Sequence, residues 1–514
     1  MISYYLIADK QKIPDPAGHF MPDGINGPSQ IIPDNYEFKN KKWKSYSMED
    51  SIIDEIHIGT FTEEGNYISV EAHIPDLENT GINTVEIMPL AQFYGNRNWG
   101  YDGVYLYAPA YSYGTPENLK HMVDAFHGHN MNVLLDVVYN HAGPVGNIMK
   151  LLGPYFSPDY KNPWGETYNF DGAYSDSVRN FIIQNAIYWI EKYGFDGLRL
   201  DAIHSIYDSS PVNIVKSIVL EMNKLEKKLN RKIKIIAESD KNDSNLVKEI
   251  NSGGYGLAAH WNDDFHHAIY TSLGGEKSGY YSDYGDFDAI PYLLKHGYLY
   301  DGKYSQYLKK TRGTKFSNMP KSRLIAFNSN HDQVGNRAFG DRPLELLGYK
   351  KNRLFISMTL LSPFTPMLFQ GEEYGETNPF LFFVDPPDHK FSSSVLEGRK
   401  SEFKDFEWGT DIPDPSSYET FMASKLTWNK SESCLNYYKQ LIKLRKLYVS
   451  ENYRISAYKK VIKIHYRNAE MYFSFSGDNF MIPEKNIIFN SSGHNNNTVL
   501  PYGTAIAALK KDKL

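Results

Sequence analysis

Phe195-Asp-Gly-Leu-Arg-Leu-Asp201, residues 195–201, is a short apolar run that ends on an acid. Alternation along an extended chain puts Arg199 and Asp201 on one face and Leu198 and Leu200 on the other. Two further runs end the same way: Ile233-Lys-Ile-Ile-Ala237 leads into Glu238, and Ile325-Ala-Phe-Asn-Ser-Asn-His331 leads into Asp332. Burying an ionisable group beside so much apolar chain is expensive, so carboxyls repeated at such places point to chemistry rather than to solvation.

Working outward, short β-branched runs alternate with longer amphipathic stretches from residue 52 onward. Strands are predicted over 52–58, 83–88, 132–138, 195–200, 233–237, 256–261, 323–327 and 366–370, and helices over 116–130, 177–194, 212–230 and 351–362. This rhythm predicts an α/β fold, a closed (β/α)8 TIM barrel, with a doubly wound open sheet as the alternative. Asp136, Asp201, Glu238, Asn262 and Asp332 all fall at or just after the C-terminal ends of these strands, where barrel enzymes build their active sites, and this favours the barrel.

Residues 139–174, rich in Gly, Pro and aromatics, are too long for an ordinary connection and are expected to form a loop subdomain after the third strand that walls a cleft. A second irregular stretch runs over 371–431, and 433–448 reads as a closing helix. The expected organisation is a leading segment over 1–50, a catalytic barrel over 51–448 and a small antiparallel β domain over 449–514.

The chain has 514 residues, 55 basic and 61 acidic, for a formal net charge of −6. It has no basic block of the kind a nucleic-acid partner demands. The single cysteine, Cys434, leaves no internal disulfide and fits a reducing compartment, so the cytoplasm is favoured. No basic leader followed by an apolar stretch opens the chain, and no run reaches bilayer-spanning length. The 40 tyrosines accompany abundant Asn, Lys and Ile, so only aromatics beside the acidic motifs count as candidate sugar platforms.

Cleaving an acetal between sugars needs a proton for the departing oxygen and a stabiliser for an oxocarbenium-like centre, which two carboxyl groups supply. Arg199 beside Asp201 favours an ionised nucleophile, while Glu238 has no adjacent basic side chain in sequence, and desolvation raises such an acid toward general-acid duty. Asp332 is placed to orient sugar hydroxyls or stabilise positive charge. The competing reading makes these residues a salt bridge, a helix cap and a turn; their joint occurrence beside His141 and His331 favours catalysis. A metal set of Asp136, His141, Glu238, His266 and His267 matches no ligand spacing, and His266-His267 reads as a partly exposed helix start, so no metal or cofactor is expected.

Four segments in order, Asp136-VVYN-His141, Gly197-LRLDAI-His204, Ala237-Glu238-SD and Asn330-His331-Asp332, resemble the α-amylase superfamily of retaining glycoside hydrolases. The resemblance implies Asp201 as nucleophile, Glu238 as general acid/base and Asp332 as the carboxylate that binds sugar hydroxyls. It also implies Tyr101 as the ring stacked on the sugar, with His141, Arg199, His204 and His331 around the substrate, and Asp136 as a supporting acid. Longer stretches, among them YNHAGPVGN, GGYGLAAHWNDDFHHAIY, NHDQVGNRAFGDR and LFQGEEYGETNPFLFF, resemble the maltooligosyltrehalose trehalohydrolase family over residues 14–428. That family is understood to cleave the α-1,4 bond next to the terminal trehalose of maltooligosyl trehalose, which makes maltooligosyl trehalose or a related α-glucan the expected partner. Asp263, Asp264, Phe265 and His266, after the sixth strand, are the candidates for the leaving-group side, with Trp261, Tyr280 and Tyr281 nearby. The family carries a β-sandwich domain before its barrel, so residues 1–50 are expected to be a remnant or linker of such a domain. A branching enzyme or amylase acting on plain α-glucan, and a noncatalytic glucan-binding protein, remain the alternatives.

Overall fold

Each apolar run that the sequence marks out forms a strand, and the strands close on one another. The computed structural model describes residues 2–8, 10–406, 411–483, 486–493 and 497–509. Strands β1 (Ile53–Ile56), β2 (Thr84–Ile87), β3 (Asn132–Val137), β4 (Gly197–Leu200), β5 (Lys234–Ala237), β6 (Ala259–Trp261), β7 (Leu324–Phe327) and β8 (Thr365–Phe369) pair in parallel, each with its neighbours in sequence, and β8 returns to β1 to close the barrel. Closure rules out the open sheet.

Alternation along these strands sorts the side chains. Ile53, Leu134, Ile236, Ala259, Trp261, Ile325, Phe327 and Met367 form one buried cluster inside the barrel, with Met48 packed against it. Val85, Leu135, Leu198, Leu200, Ile235 and Ala326 belong to the larger core outside, between strands and helices. The inner positions toward the C-terminal ends change character. Glu55, Glu86, Asp136 and Arg199 are all buried there, one polar layer over an apolar floor.

Helices α1 (Pro116–Gly128), α2 (Ser175–Tyr193), α3 (Ile214–Leu229), α4 (Asp263–Ser272), α5 (Tyr349–Leu361), α6 (His389–Glu402) and α7 (Glu432–Tyr448) surround the barrel or extend from it. In α1, Thr115 accepts from the N–H of Asn118 and Pro116 takes the first position, while Leu119, Met122, Val123 and Phe126 recur at helical spacing and are buried. Helix α2 stops at Gly194, whose φ of 81° a side chain rarely adopts. In α7, the buried Arg445 donates to the carbonyls of Leu360, Ser362 and Phe364, satisfying the end of α5 and joining both helices to the barrel.

Beyond α7, strands β9 (Tyr453–Tyr458), β10 (Val461–Tyr466), β11 (Ala469–Ser474), β12 (Ile487–Asn490) and β13 (Thr504–Ala508) form an antiparallel sheet in the order β9-β10-β11-β13-β12. It docks on the barrel through Tyr466, whose hydroxyl donates to Leu361 O at 2.8 Å, and Tyr453, which donates to Leu294 O at 2.9 Å. Described parts of the leading segment are tied to the barrel units. Trp43 Nε1 donates to Asp196 at 2.8 Å, the backbone N–H groups of Lys39 and Asn40 donate to Asp124, and Met21 and Ile25 pack on Val104, Tyr105 and Ala108. The 139–174 segment is held as a wall by isolated bridges, Ala142 to Glu166 and Phe156 to Tyr168. Among the described residues, no helix is long and apolar enough to cross a membrane.

Candidate active site

Arg199 organises the site because its guanidinium is fully buried at the inner face of β4 and reaches three carboxylates. Nη1 donates to Asp136 at 2.6 Å and to Asp201 at 2.9 Å, and Nη2 lies 3.9 Å from Glu238. Its carbon sits 4.1 Å from the centre of the Trp261 ring, which closes the apolar side. Burial disfavours the cation, but Asp136, Asp201 and Glu238 more than offset this, and Arg199 stays charged.

The two carboxyl groups nearest the cleft differ in environment. Asp201 accepts from Arg199 on Oδ1 and from Asn140 Nδ2, at 2.7 Å, on Oδ2, so both oxygens are served by donors suited to an anion. Glu238 is driven the other way: burial first, against Arg199, with help from Asp201, Asp263 and Asp332, raises its carboxyl well above the usual range. Oε2 accepts the Ala202 N–H at 2.7 Å. Ala202 has φ 37° and ψ 50°, a left-handed conformation costly for alanine. That turn, directly after Asp201, aims its N–H at Glu238.

Asp332 is the second residue of the short helix after β7 (His331–Gly335), where Asn330 Oδ1 accepts its N–H at 3.0 Å. Its Oδ1 accepts from Asn336 Nδ2 at 3.0 Å and lies 3.4 Å from His331 Nε2. Its side chain is 42% exposed, open to a ligand. His331 is buried and gripped from beneath: Glu55 accepts its backbone N–H at 2.8 Å and its Nδ1–H at 2.6 Å. Burial pulls the imidazole pKa down, but Asp332 and Glu55 carry it up to about 9, so it is an imidazolium near neutral pH. The Tyr101 ring stacks on it with centroids 5.0 Å apart, and the Tyr101 hydroxyl donates to Asp136 at 2.6 Å. Burial raises Asp136 to about 6 despite Arg199. It supports Tyr101 and Arg199 from below.

His141 Nε2–H donates to Tyr101 O at 3.1 Å, and its ring lies 6.0 Å from that of Trp164 on the 139–174 wall. His204 stands at the rim, 3.8 Å from Asp240 and 21% exposed, with burial lowering its pKa. Asp263, the first residue of α4, faces the acids: burial pushes its carboxyl up to about 7, with Arg312 pulling down and Asp332 adding upward.

The rest of the expected leaving-group set turns away. Asp264 is fully buried and accepts from Tyr284 Oη at 2.6 Å, Asn242 Nδ2 at 2.7 Å and the N–H groups of Leu299 and Tyr300. Phe265 packs inside against Phe355 and Phe364. His266 is bonded to Asn328 O at 2.8 Å and Tyr281 Oη at 3.2 Å, and burial holds its pKa down to about 3. Each residue of a helix turns by about 100° from the last, so Asp264 and Phe265 leave the face that Asp263 presents, and His266, which returns toward it, is tied down by Asn328 and Tyr281. His266 and His267 are buried, not partly exposed, because α4 is buried from Asp264 to Thr271. Asn262 uses its amide on Gly297 O, at 2.9 Å, rather than capping α4. Among the described residues, no group of three His, Cys, Asp or Glu side chains converges as a metal site.

Two acids of the site escape sequence reasoning. Glu55 and Glu86, neighbours across β1 and β2, sit inside apolar strands, and their period-two spacing from Ile53 and Thr84 is the signal that would have placed them inward. Glu86 is fully buried with no hydrogen-bond partner on either carboxyl oxygen, and burial followed by Glu55 raises it well above the usual range.

The alpha-amylase catalytic-domain family profile matches residues 30–151 and 172–452. The malto-oligosyltrehalose trehalohydrolase of Saccharolobus solfataricus is 45% identical over 444 residues, 86% of this chain and 77% of that protein. That of Mycobacterium tuberculosis is 40% identical over 454 residues, 86% and 78% of the two chains. A crystal structure of a Salmonella typhimurium protein provisionally assigned as an alpha amylase superposes with a TM-score of 0.91 at 34% identity, covering 98% of this chain and 89% of that one. A barrel built around three convergent carboxyl groups, matched at this identity over most of its length, belongs to the malto-oligosyltrehalose trehalohydrolase family of alpha-amylase-type glycoside hydrolases.

Proposed function

We propose that this chain hydrolyses the α-1,4-glucosidic bond between the glucan and the terminal trehalose of maltooligosyl trehalose, releasing trehalose, by double displacement with retention at the anomeric carbon. The carrying observation is the pairing of environments around Arg199: Asp201 accepts from Arg199 and Asn140, while burial and neighbouring carboxylates push Glu238 well above the usual carboxyl range. Asp201 attacks C1 of the glucosyl unit as Glu238 gives its proton to O4 of the departing trehalose, so the C1–O4 bond breaks as the C1–Asp201 ester forms. Glu238, now a carboxylate, takes a proton from water, whose oxygen attacks C1 and frees Asp201. The charge developing at C1 is met by Asp201 and Asp332, and the sugar ring stacks on Tyr101 with His331 and His141 as polar contacts.

Asp263 is the leaving-group contact that the geometry favours among the four candidates, since its carboxyl lies among the electrostatic neighbours of Glu238 and Asp332. Asp264, Phe265 and His266 support the α4 position instead. The names of the relatives supply the trehalose specificity, and the glucan side is that of the alpha-amylase barrel. Purified protein incubated with maltotriosyl trehalose is expected to yield trehalose and maltotriose, with plain maltopentaose cleaved much more slowly. Preferential cleavage of maltopentaose, or transfer onto glycogen without trehalose release, overturns the assignment.

A further inference from the structure

Helix α6, inserted after β8, presents a mostly solvent-facing surface and buries one side chain of its own, Arg399. The guanidinium lies between two aromatic rings, 4.8 Å from the centre of Phe382 and 4.8 Å from that of Phe403. Such stacking holds a planar cation in one orientation. From that seat Nη2 donates to Gly335 O at 2.9 Å, and Nη1 donates to Asn336 Oδ1 at 3.0 Å and to Glu402 Oε2 at 2.7 Å.

The contact with Asn336 determines the sense of an amide. A guanidinium has only donors, so the group facing it must be the amide oxygen, and the NH2 must point the other way. The other way is Asp332, whose Oδ1 accepts from Asn336 Nδ2 at 3.0 Å. The Asn336 backbone N–H also donates to Asp332 O at 3.0 Å, so the two residues are joined at main chain and side chain. Asp332 is the most exposed of the three carboxylates and is served on Oδ1 by Asn336 and His331 alone among the described residues.

We infer that Arg399 is a positioning residue for hydrolysis: it locks the Asn336 amide so that its NH2 holds the Asp332 carboxylate in the orientation that meets the sugar, making the inserted helix α6 a working part of the active site. The inference rests on the reading of Asp332 given above. Without Arg399 the amide oxygen loses its charged partner, so the Asn336 side chain is freer to leave the rotamer that serves Asp332, which loosens the carboxylate. A misplacement on that scale is enough to cost about 10- to 100-fold in turnover.

The test is a double-mutant cycle on the full chain with maltotriosyl trehalose, using Arg399→Met, which keeps an unbranched side chain between the two rings, and Asn336→Ala. The expected result is a fall of about tenfold or more in kcat for each single variant, little change in KM, and less than about twofold further loss when Arg399→Met is added to Asn336→Ala. Arg399→Lys, which keeps a donor, is expected to recover part of the loss. Should Arg399→Met fold poorly, the same comparison is made with Arg399→Lys against Asn336→Ala. Losses that multiply in the double variant, or lowered thermal midpoints with unchanged kcat, overturn the inference. Asp332→Asn run in parallel separates the two ideas: full activity there refutes the role of Asp332, whereas an inactive Asp332→Asn with fully active Arg399→Met refutes the relay alone.

Discussion

Replacing Glu55 with glutamine removes one negative charge from beneath His331 and leaves a side chain of the same length. In the native site, Glu55 accepts both the backbone N–H and the Nδ1–H of His331. An amide has one oxygen and one NH2, so it can keep the backbone bond only by turning its NH2 to Nδ1, which then must be an unprotonated acceptor. The substitution therefore selects neutral imidazole with its proton on Nε2. The groups around the ring are Asp332 and Glu55, which favour the cation, Arg199, which opposes it, and the rings of Tyr101, Trp99 and Trp261. A rise from 6.5 to about 9 corresponds to about 3 kcal/mol of preference for the imidazolium in the folded state. Because the folded value lies above the unfolded one, this stabilisation is fully present below pH 6.5, declines above it and is lost as pH rises through about 9.

Glu55→Gln should therefore be less stable than wild type by as much as about 3 kcal/mol at pH 6, measured by urea unfolding, with the gap narrowing and closing as pH passes about 9. At pH 7 its kcat/KM should fall about 10- to 100-fold, the worth of a charge-assisted hydrogen bond near Asp332 and the sugar. In histidine-labelled protein, the NMR titration of His331 should move from about 9 to at or below the ordinary value. A stability gap that is constant from pH 6 to 9.5, or an unchanged His331 titration, refutes the reasoning.

Arg199→Met should be inactive and less stable by about 3–5 kcal/mol in urea unfolding, because it leaves Asp136, Asp201 and Glu238 without their shared cation. Asp263→Asn and Asp264→Asn should separate cleanly: the first raises KM for maltotriosyl trehalose with little change in thermal midpoint, while the second lowers the midpoint with KM unchanged. Their contrast follows from one carboxyl facing the cleft and the next being bonded to Tyr284, Asn242 and two backbone N–H groups. Phe265→Ala, in the core against Phe355 and Phe364, should cost about 3–5 kcal/mol of stability and leave KM alone, checked by unfolding and steady-state kinetics.

The barrel was legible because its strands are short β-branched runs bounded by turn residues, and each observed strand falls within or against a predicted one, as β4 does within 195–200. Asp201, Glu238 and Asp332 were legible because a carboxyl at the end of an apolar strand has few cheap explanations. Glu55 was hidden because an acid in the middle of such a strand reads as a blemish unless the inward face is followed residue by residue. The α4 residues misled for the opposite reason: they are adjacent in sequence, but helical rotation sends Asp263 to the cleft and Phe265 to the core. The link from Arg399 to Asn336 joins residues 63 apart through a stacked guanidinium, a tertiary arrangement with no local pattern.

Covalent catalysis by Asp201 is tested most directly by trapping. Glu238→Gln protein treated with an activated 2-fluoro maltosyl donor, whose leaving group needs no proton, should accumulate a glycosyl ester that survives digestion. Mass spectrometry should then find one added maltosyl unit on the peptide carrying Asp201, and none after Asp201→Ala. A label on any other carboxylate, or no label while turnover proceeds with inversion at the anomeric carbon, contradicts the account.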